Sequence, residues 1–334
     1  MDWALIGAST IASQYMVNAF RSQPGGNVSW IVSGSAARAV DYADRHRIPK
    51  SSGEMSDALS DPDVDAVYIS STNEKHFAHA TAAIAAGKHV FCEKPLAMTL
   101  GEAREMVQAA ETAGVVFATN HHLRCAGSHL AVRDLIAAGR IGDVLSCRVF
   151  HAVHLPENLR GWRINSKDAG GGVVPDITVH DADVIRFLLN EDPQSVVAEV
   201  TSSGMGQGVE DSAMSVWTMP SGAMAMSHES FTHPFAGSGF EVHGTKGSVF
   251  ARGVMTQQPV GEIELVTASG REVIPFEIYD LYTFGVARFC EAVAGTGRPA
   301  ADGWDGVMSL AVAHAVREAA ATGTRVVVNY GGPR

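Results

Sequence analysis

The chain has no closely spaced pair of cysteines. Its four cysteines are scattered through 334 residues and form no C-x-x-C motif; they are Cys92, Cys125, Cys147 and Cys290. This spacing disfavours a disulfide framework and a zinc–thiolate site, and it favours reduced thiols, so we expect a cytoplasmic protein. The histidine pairs 76/79 and 121/122 have no neighbouring cysteine or carboxylate pattern typical of zinc sites, and we expect no metal.

Long apolar runs and excess positive charge are also lacking. No run approaches about 18 apolar residues, and no basic–apolar leader precedes the first predicted strand, so we expect neither a membrane span nor a signal peptide. The formal net charge of −11 disfavours nucleic acid as a partner. Hydrophobic residues make up 46% and charged residues 18%, which is typical of a globular protein. A chain of this length predicts two domains.

The first third of the chain alternates short apolar runs with helical stretches. The predicted strands cover residues 3–7, 27–33, 65–70, 88–92 and 115–119. The predicted helices cover residues 10–22, 36–46, an Ala-rich stretch ending near 86, and 99–113. This alternation predicts a parallel sheet covered on both faces, a doubly wound Rossmann domain that we place at residues 1–122.

The pattern changes after about residue 124. A helix at 128–138 and a strand at 144–153 precede an irregular stretch rich in Gly, His and Trp, and a helix follows at 177–189. Strands are then predicted in succession, at 196–202, 213–219, 223–231, 239–243 and 247–251. We predict an α+β substrate-binding domain at 123–334, built on a large, mostly antiparallel sheet. Two late helices, at 281–294 and 303–322, are predicted to pack back on the first domain.

The first strand runs into the sequence GASTIA at residues 7–12. It occupies the place of a G-x-G-x-x-G/A fingerprint, with Ser9 at the second glycine and Ala12 at the third. Backbone N–H groups at a helix start bind a pyrophosphate well, so Ser9, Thr10, Ile11 and Ala12 are candidate cofactor-binding residues. The alternative is an ordinary strand-to-helix turn.

The end of the second strand lacks a carboxylate. Sites that prefer NAD usually carry an Asp or Glu there for the ribose 2′-hydroxyl. Ser33 and Gly34 stand in its place, followed by Arg38, and these three residues predict a site for the 2′-phosphate of NADPH. Hydrogen bonds to charged groups are worth roughly 1.5–3 kcal/mol, which gives a preference of about ten- to a hundredfold. The alternative for Arg38 is a solvated helix residue.

Two further polar segments follow predicted strands, where doubly wound sheets bind ligands. The first supplies the candidate cofactor-binding residues Ser71, Thr72, Asn73 and His76. The second is Glu93-Lys94-Pro95, in which Glu93 and Lys94 are also candidate cofactor-binding residues and proline prevents continuation of the strand. Lys94 at this position can donate a hydrogen bond to a substrate oxygen and stabilise developing negative charge. The alternative for Lys94 is a surface charge.

A glycine triplet at 170–172 precedes Asp176 and His180. These two residues are four apart, so in a helix they share one face. A carboxylate close to an imidazole favours its charged form, which makes His180 a candidate proton donor to an alkoxide. The alternative is a helix cap at Asp176 with a packed histidine.

An aromatic and polar cluster lies between these motifs. Trp162 can stack on the C–H face of a sugar, while His151, His154 and Arg163 supply polar groups for its hydroxyls. The alternative is an interior loop with a buried tryptophan. We take Trp162 and Arg163 as candidate cofactor neighbours too, and His151, Trp162, Asp176 and His180 as candidate substrate contacts.

Three motifs follow one another along the chain: the glycine loop, E-K-P after a strand, and G-G-G followed by D-x-x-x-H. In these motifs the chain resembles the glucose–fructose oxidoreductase/inositol dehydrogenase (Gfo/Idh/MocA) family along its whole length. The resemblance implies reduction of a sugar ketone with NADPH. It assigns carbonyl polarisation to Lys94, proton donation to His180 and an orienting role to Asp176.

The same resemblance implies that Asn120 and Trp162 help to position cofactor and sugar, and that Tyr282 covers the nicotinamide side. Two departures from the family pattern are Ser9 at the second glycine and Pro175 before Asp176. Two other functions remain open: a dehydrogenase of another polyol or pyranose, and a non-catalytic NADP-binding regulator. A small sugar is the expected partner, and the sequence does not decide between a monomer and a homo-oligomer.

Overall fold

Two separate sheets organise the chain, one of six strands and one of nine. The computed structural model describes residues 1–332. They divide into two compact units: the first contains residues 1–121 and 282–307, and the second contains 122–281 and the residues from 308 onward. Among the described residues, no helix combines the length and the apolar character needed to cross a bilayer.

The first unit is built on a parallel sheet. Its strands are β1 (Asp2–Ile6), β2 (Asn27–Val32), β3 (Lys50–Ser52), β4 (Ala66–Ile69), β5 (His89–Cys92) and β6 (Phe117–Thr119). They lie in the order β3-β2-β1-β4-β5-β6, and every neighbouring pair is parallel. The predicted doubly wound fold is therefore confirmed. The chain order reverses between β1 and β4, and such sheets bind dinucleotides beyond the carboxyl ends at that point.

Helices connect these strands. They are α1 (Val17–Arg21), which continues a π-helical turn Ala12–Met16, then α2 (Ala36–His46), α3 (Met55–Leu59), α4 (His76–Ala85) and α5 (Leu100–Ala113). Local chemistry sets their ends. Thr99 and Glu102 form a capping box at the start of α5, and Gly114 ends it in the left-handed conformation.

The second unit is built on a mixed sheet. Its strands are β7 (Val144–Ala152), β8 (Ser195–Thr201), β9 (Ser212–Thr218), β10 (Met224–Ser230), β11 (Ser238–Gly244), β12 (Gly247–Arg252), β13 (Glu262–Thr267), β14 (Gly270–Val273) and β15 (Val326–Val327). They lie in the order β14-β13-β12-β11-β7-β10-β9-β8-β15. The pair β7–β10 is parallel and the other pairs are antiparallel, so the mostly antiparallel sheet is confirmed.

The remaining helices are α6 (Gly127–Ala137), α7 (Glu157–Asn165), α8 (Val179–Leu189), α9 (Leu281–Val293) and α10 (Gly303–Thr322). The division between the units falls at the start of α9 and within α10. A π-helical turn, Val174–Thr178, leads into α8, so the helical backbone begins before the predicted start at 177. The prediction of an irregular stretch after 153 was wrong where α7 forms. Gly161 interrupts the periodicity of α7, because its φ of 34° is not helical.

Aromatic side chains form the core of the first unit. Trp3 is stacked on Phe20 with 4.1 Å between ring centroids, and it lies 5.2 Å from Phe289 of α9. Phe289 also stacks on Phe91 of β5 at 5.3 Å. Tyr68 of β4 completes this layer against Phe20. The core of the first unit thus depends on a segment distant in sequence.

Candidate active site

The glycine loop after β1 has the backbone form that a phosphate cradle requires. Gly7 has φ of +112°, and a Cβ there would lie 2.7 Å from the backbone nitrogen of Ser71, so only glycine fits. The loops after β1 and β4 therefore approach each other closely. Ser9 caps the following helix: its hydroxyl accepts from the Ala12 N–H at 3.1 Å and donates to Ser70 at 2.7 Å. A direct bond from Ser9 to phosphate stays a prediction.

A cavity of about 300 Å³ opens beside this loop. Its lining residues are Ala8, Ser9, Thr10, Ser13, Gln14, Arg38, Asp41, Tyr42 and Arg45. Arg38 donates to the Ala8 carbonyl at 2.6 Å, which ties α2 to the glycine loop. Tyr42 donates to the Ser9 carbonyl at 3.3 Å, and burial raises the pKa of this phenol, so it stays neutral. The cavity wall thus presents two guanidinium groups, from Arg38 and Arg45.

Sequence reasoning missed Arg45. The signal was present, because Arg38, Asp41, Tyr42 and Arg45 follow the i, i+3, i+4, i+7 spacing of one helix face. The two other residues predicted here, Ser33 and Gly34, directly follow β2. A Cβ at Gly34 would meet nothing within 4 Å, so this position is open. The residues fit a phosphorylated dinucleotide: a glycine-cradled helix start and a cationic cavity lie beside each other.

The loop after β4 is fixed by histidines. His76 is fully buried, and its two ring nitrogens lie 2.8 Å from the Pro95 carbonyl and 3.1 Å from the Ser71 carbonyl. This geometry places His76 behind the loops, where it supports them. The hydroxyl of Ser71 is bound to the His79 ring at 3.0 Å, and that of Thr72 donates to Glu74 at 2.6 Å. Asn73 is buried at the start of the short helical turn that follows.

The E-K-P segment follows β5 on a buried support. Glu93 accepts hydrogen bonds from the Tyr68 hydroxyl at 2.5 Å and the Asn120 amide at 2.6 Å. Burial raises the pKa of Glu93, while the two bonds act in the opposite direction. The backbone on both sides of Lys94 is thereby held in place. The Glu93 side chain binds Tyr68 and Asn120, and the Pro95 carbonyl binds the His76 ring. Tyr282 is buried and stacks on Tyr15 at 4.7 Å in the same unit.

In the second unit, two histidines lie beside the histidine of the D-x-x-x-H motif. His180 is buried, at 7% exposure, on the first turn of α8. The His122 ring meets it edge-on at 4.9 Å, and the His151 ring of β7 lies 6.2 Å away. Sequence reasoning did not predict His122 as a candidate site residue. The available signal was the pair of adjacent histidines, His121 and His122. His151 and His180 were both predicted to contact the substrate, and this contact stays a prediction.

Asp176 lies on the π-helical turn, where the four-residue spacing no longer has the geometry of an α-helix. Its carboxylate pairs with the Arg163 guanidinium at 3.4 Å, and that guanidinium lies 4.6 Å above the Trp162 ring. The second unit thus brings together Asp176, Arg163 and Trp162. His154, in contrast, is bound by Arg160 at 3.1 Å. Within residues 1–332, no His, Cys, Asp and Glu side chains are grouped to hold a metal ion.

Two family models match the chain. A model described as an oxidoreductase family with an NAD-binding Rossmann fold matches residues 1–121. A model of the GFO/IDH/MocA C-terminal domain matches residues 129–250. Both matches agree with the sheets found in the two units.

Curated relatives and solved structures extend these matches along the chain. A 1,5-anhydro-D-fructose reductase from Ensifer adhaerens is 53% identical over 330 residues, covering 98% of this chain and 99% of that protein. A myo-inositol 2-dehydrogenase from Thermotoga maritima is 28% identical over 288 residues, covering 84% and 85%. The structure of an aldose–aldose oxidoreductase from Caulobacter crescentus has a TM-score of 0.89 at 24% identity, covering 98% and 99%. The last likeness concerns the fold alone.

Proposed function

Since the chain belongs to the GFO/IDH/MocA family of oxidoreductases, we propose that it reduces the C2 ketone of 1,5-anhydro-D-fructose to 1,5-anhydro-D-mannitol with NADPH. The observation that carries this substrate is the 53% identity with a 1,5-anhydro-D-fructose reductase over 98% of the chain. The motif residues Gly7, Lys94, Asp176 and His180 agree with the family pattern that this reaction uses. The four cysteines form no disulfide among the described residues, which supports a cytoplasmic location as part of the proposal.

The first unit binds NAD(P) through its Rossmann domain, and the choice of NADPH is part of the proposal. Ser33 stands where NAD-preferring sites carry a carboxylate. Arg38 and Arg45 line the cavity beside the glycine loop. A 2′-phosphate carries negative charge, so two guanidinium groups favour it and bind its oxygens through charge-assisted hydrogen bonds. Bound NADPH supplies the hydride that such a reduction requires.

Lys94 is proposed to donate a hydrogen bond to the ketone oxygen. Its backbone is fixed by the Glu93 carboxyl and by the Pro95 carbonyl, so the ammonium group is restricted to the end of β5. A positioned cation stabilises the negative charge that develops on this oxygen when the carbon accepts a hydride. Lys94 thereby lowers the barrier without itself giving up a proton.

His180 is proposed to deliver the proton that completes the alcohol. The ring is buried between His122 and His151, so bulk water has little access to it. General acid catalysis by a positioned histidine accelerates such steps by roughly 10²–10⁴. Asp176 and Arg163 are proposed to orient the sugar beside the Trp162 ring, since their ion pair lies over its face.

The test is steady-state kinetics with NADPH or NADH and with 1,5-anhydro-D-fructose, fructose or glucosone as substrate. We expect kcat/KM to be highest for 1,5-anhydro-D-fructose with NADPH, and we expect NMR of the product to show 1,5-anhydro-D-mannitol. A higher kcat/KM for oxidation of inositol or another polyol would overturn the proposal in favour of a dehydrogenase. Tight NADPH binding without oxidation by any keto-sugar would instead identify a regulator.

A further inference from the structure

Two carboxyl groups are buried beside His151 in the second unit. Asp181 belongs to α8 and Glu229 to β10, and both are 0% exposed. Glu229 is the direct register partner of His151 on the parallel neighbour β7. Ser227, also 0% exposed, lies two residues before Glu229 and therefore on the same face of β10. Three elements thus contribute to one buried polar cluster.

One hydroxyl connects the two carboxyl groups. The Ser227 Oγ lies 3.0 Å from the Asp181 Oδ2 and 2.5 Å from the Glu229 Oε1. A serine hydroxyl has a single proton, so it can donate to only one of these oxygens and must accept from the other. An ionised carboxylate has no proton to donate. One of the two carboxyl groups is therefore protonated.

The partners identify which carboxyl group keeps the proton. Asp181 Oδ1 lies 2.9 Å from the His151 Nδ1, so Asp181 has a second donor besides Ser227. Two donors suit an anion, which leaves Glu229 to donate to Ser227. The pKa shifts agree with this order: burial, and then the charge of Asp181, raise the pKa of Glu229 well above its usual value, whereas burial raises the pKa of Asp181 and its contacts with His151 and Ser227 lower it.

The other titratable groups around the cluster do not supply this proton. Cys147 of β7 remains a thiol, because burial raises its pKa to about 12. His129 of α6 is neutral, because burial lowers its pKa to about 3. Burial also lowers the pKa of His228 on β10. The His180 ring lies 6.2 Å from the His151 ring between centroids, at an interplanar angle of 48°.

We propose that Asp181 and Glu229 are positioning residues that hold one proton between them through Ser227. The Asp181 carboxylate thereby fixes His151 as the Nδ1–H tautomer. In this tautomer the His151 Nε2 can accept a hydrogen bond from a sugar hydroxyl. The sugar in this statement rests on the proposed function. The tautomer and the shared proton rest on this cluster alone. The cluster explains why the fully buried carboxyl group of Glu229 lies beside His151, which is a candidate substrate contact.

The first test compares Glu229→Gln with Asp181→Asn in the protein without cofactor or sugar. A carboxamide replaces a protonated carboxyl group well and an ionised one poorly, so at pH 7 Glu229→Gln should be at least as stable as wild type and Asp181→Asn should be less stable. Wild-type Glu229 binds a proton in the folded state that the unfolded chain releases above about pH 4.5. Above that pH, the unfolding equilibrium constant of wild type should therefore rise about tenfold per pH unit relative to that of Glu229→Gln, so the variant becomes the more stable protein.

The second test reads the His151 tautomer directly, by long-range ¹H–¹⁵N NMR of the imidazoles in wild type and Glu229→Gln. Comparison with His151→Asn identifies the signal. We expect Nδ1–H in both proteins. An Nε2–H imidazole in wild type would overturn the proposal, as would a loss of stability in Glu229→Gln equal to that in Asp181→Asn. Neither outcome depends on turnover, so both differ from failure of the proposed function, which is absence of sugar reduction.

Kinetics separate positioning from mere support of the fold. We expect Asp181→Asn to raise the KM for the sugar by about tenfold and to shift the pH profile of kcat/KM, while the Kd for NADPH remains unchanged. Glu229→Gln should reproduce the wild-type profile. Equal changes in the sugar KM and the NADPH Kd in Asp181→Asn would show a general loss of structure and overturn the positioning role.

Discussion

The two units bury carboxyl groups behind their candidate site residues in different ways. In the first unit, Glu93 has two neutral donors, Tyr68 and Asn120, and therefore enough hydrogen bonds for an ionised or a neutral carboxyl group. In the second unit, Asp181 and Glu229 share the single hydroxyl of Ser227, which cannot satisfy two anions. The ratio of donors to carboxyl groups decides which buried acid must keep a proton.

The units also differ in what holds the site residues in place. In the first unit, backbone groups at strand ends do so: the Gly7 loop approaches Ser71, and the two ring nitrogens of His76 lie 2.8 and 3.1 Å from the Pro95 and Ser71 carbonyls. In the second unit, side chains on separate elements hold one another, as Asp176 and Arg163 do. Changes in the first unit should thus act through the backbone or through a single charge, and the four experiments below test this.

The largest effect is expected for Lys94→Ala. Removing a donor to a developing oxyanion costs about 10²–10³ in kcat, and the Kd for NADPH should change far less. Stopped-flow turnover and fluorescence titration of NADPH measure the two quantities. Lys75→Ala is the matched control, because the Lys75 side chain is 57% exposed. An unchanged kcat would remove Lys94 from the mechanism.

Gly7→Ala tests the backbone in the first unit. The new Cβ would lie 2.7 Å from the Ser71 nitrogen at a φ of +112°, and such strain costs on the order of 1–3 kcal/mol. We expect a lower free energy of unfolding and NADPH binding weakened at least about tenfold. Gly34→Ala is the control for stability, since a Cβ there meets nothing within 4 Å. Equal stability of the two variants in urea unfolding would contradict the close approach of the loops.

Ser33→Asp tests a single charge. A carboxylate after β2 repels a 2′-phosphate, so the Kd for NADPH should rise at least about tenfold, and the Kd for NADH should rise less or fall. Ser33→Ala, which removes the hydroxyl without adding charge, separates the lost hydrogen bond from the repulsion. If Ser33→Asp binds NADPH like wild type, the 2′-phosphate is recognised elsewhere.

The smallest effect is expected for His79→Asn. Burial lowers the pKa of His79 from 6.5 to about 4. The folded state therefore binds a proton on this ring more weakly than the unfolded state does. As a result, wild type has its full stability above about pH 6.5 and loses stability as the pH falls towards 4. Asparagine does not titrate, so the variant should become more stable relative to wild type over that range. Parallel stability curves between pH 7 and 4.5 would contradict the shifted pKa.

Long periodic segments allowed most of the fold to be predicted. The helices α2 and α10 have their predicted bounds, because caps and apolar spacing mark them. The strands β3, β13, β14 and β15 were missed; β3, β14 and β15 are short, and all four residues of β14 are exposed. Pairing with a neighbouring strand, rather than local pattern, determines such strands.

Candidate site residues within one motif were predicted, whereas Asp181 and Glu229, which lie on separate elements, were not. Gly7, Lys94 and His180 stand in short motifs whose geometry is local. Asp181 and Glu229 are 48 residues apart, and only the packing of α8 on the sheet brings them to one serine. No periodicity along the chain marks such a cluster.

The return of α9 to the first sheet has a consequence for synthesis on the ribosome. Phe289 covers Trp3 and Phe91, and the Thr119 N–H bonds the Ala301 carbonyl at 3.2 Å. A nascent chain that has emerged only to residue 121 exposes these aromatic faces, and at about 5–20 residues per second the covering segment follows many seconds later. Residues 282–307 therefore complete the nucleotide-binding unit only after residues 122–281 of the second unit have been made, so residues 1–121 expressed alone should aggregate.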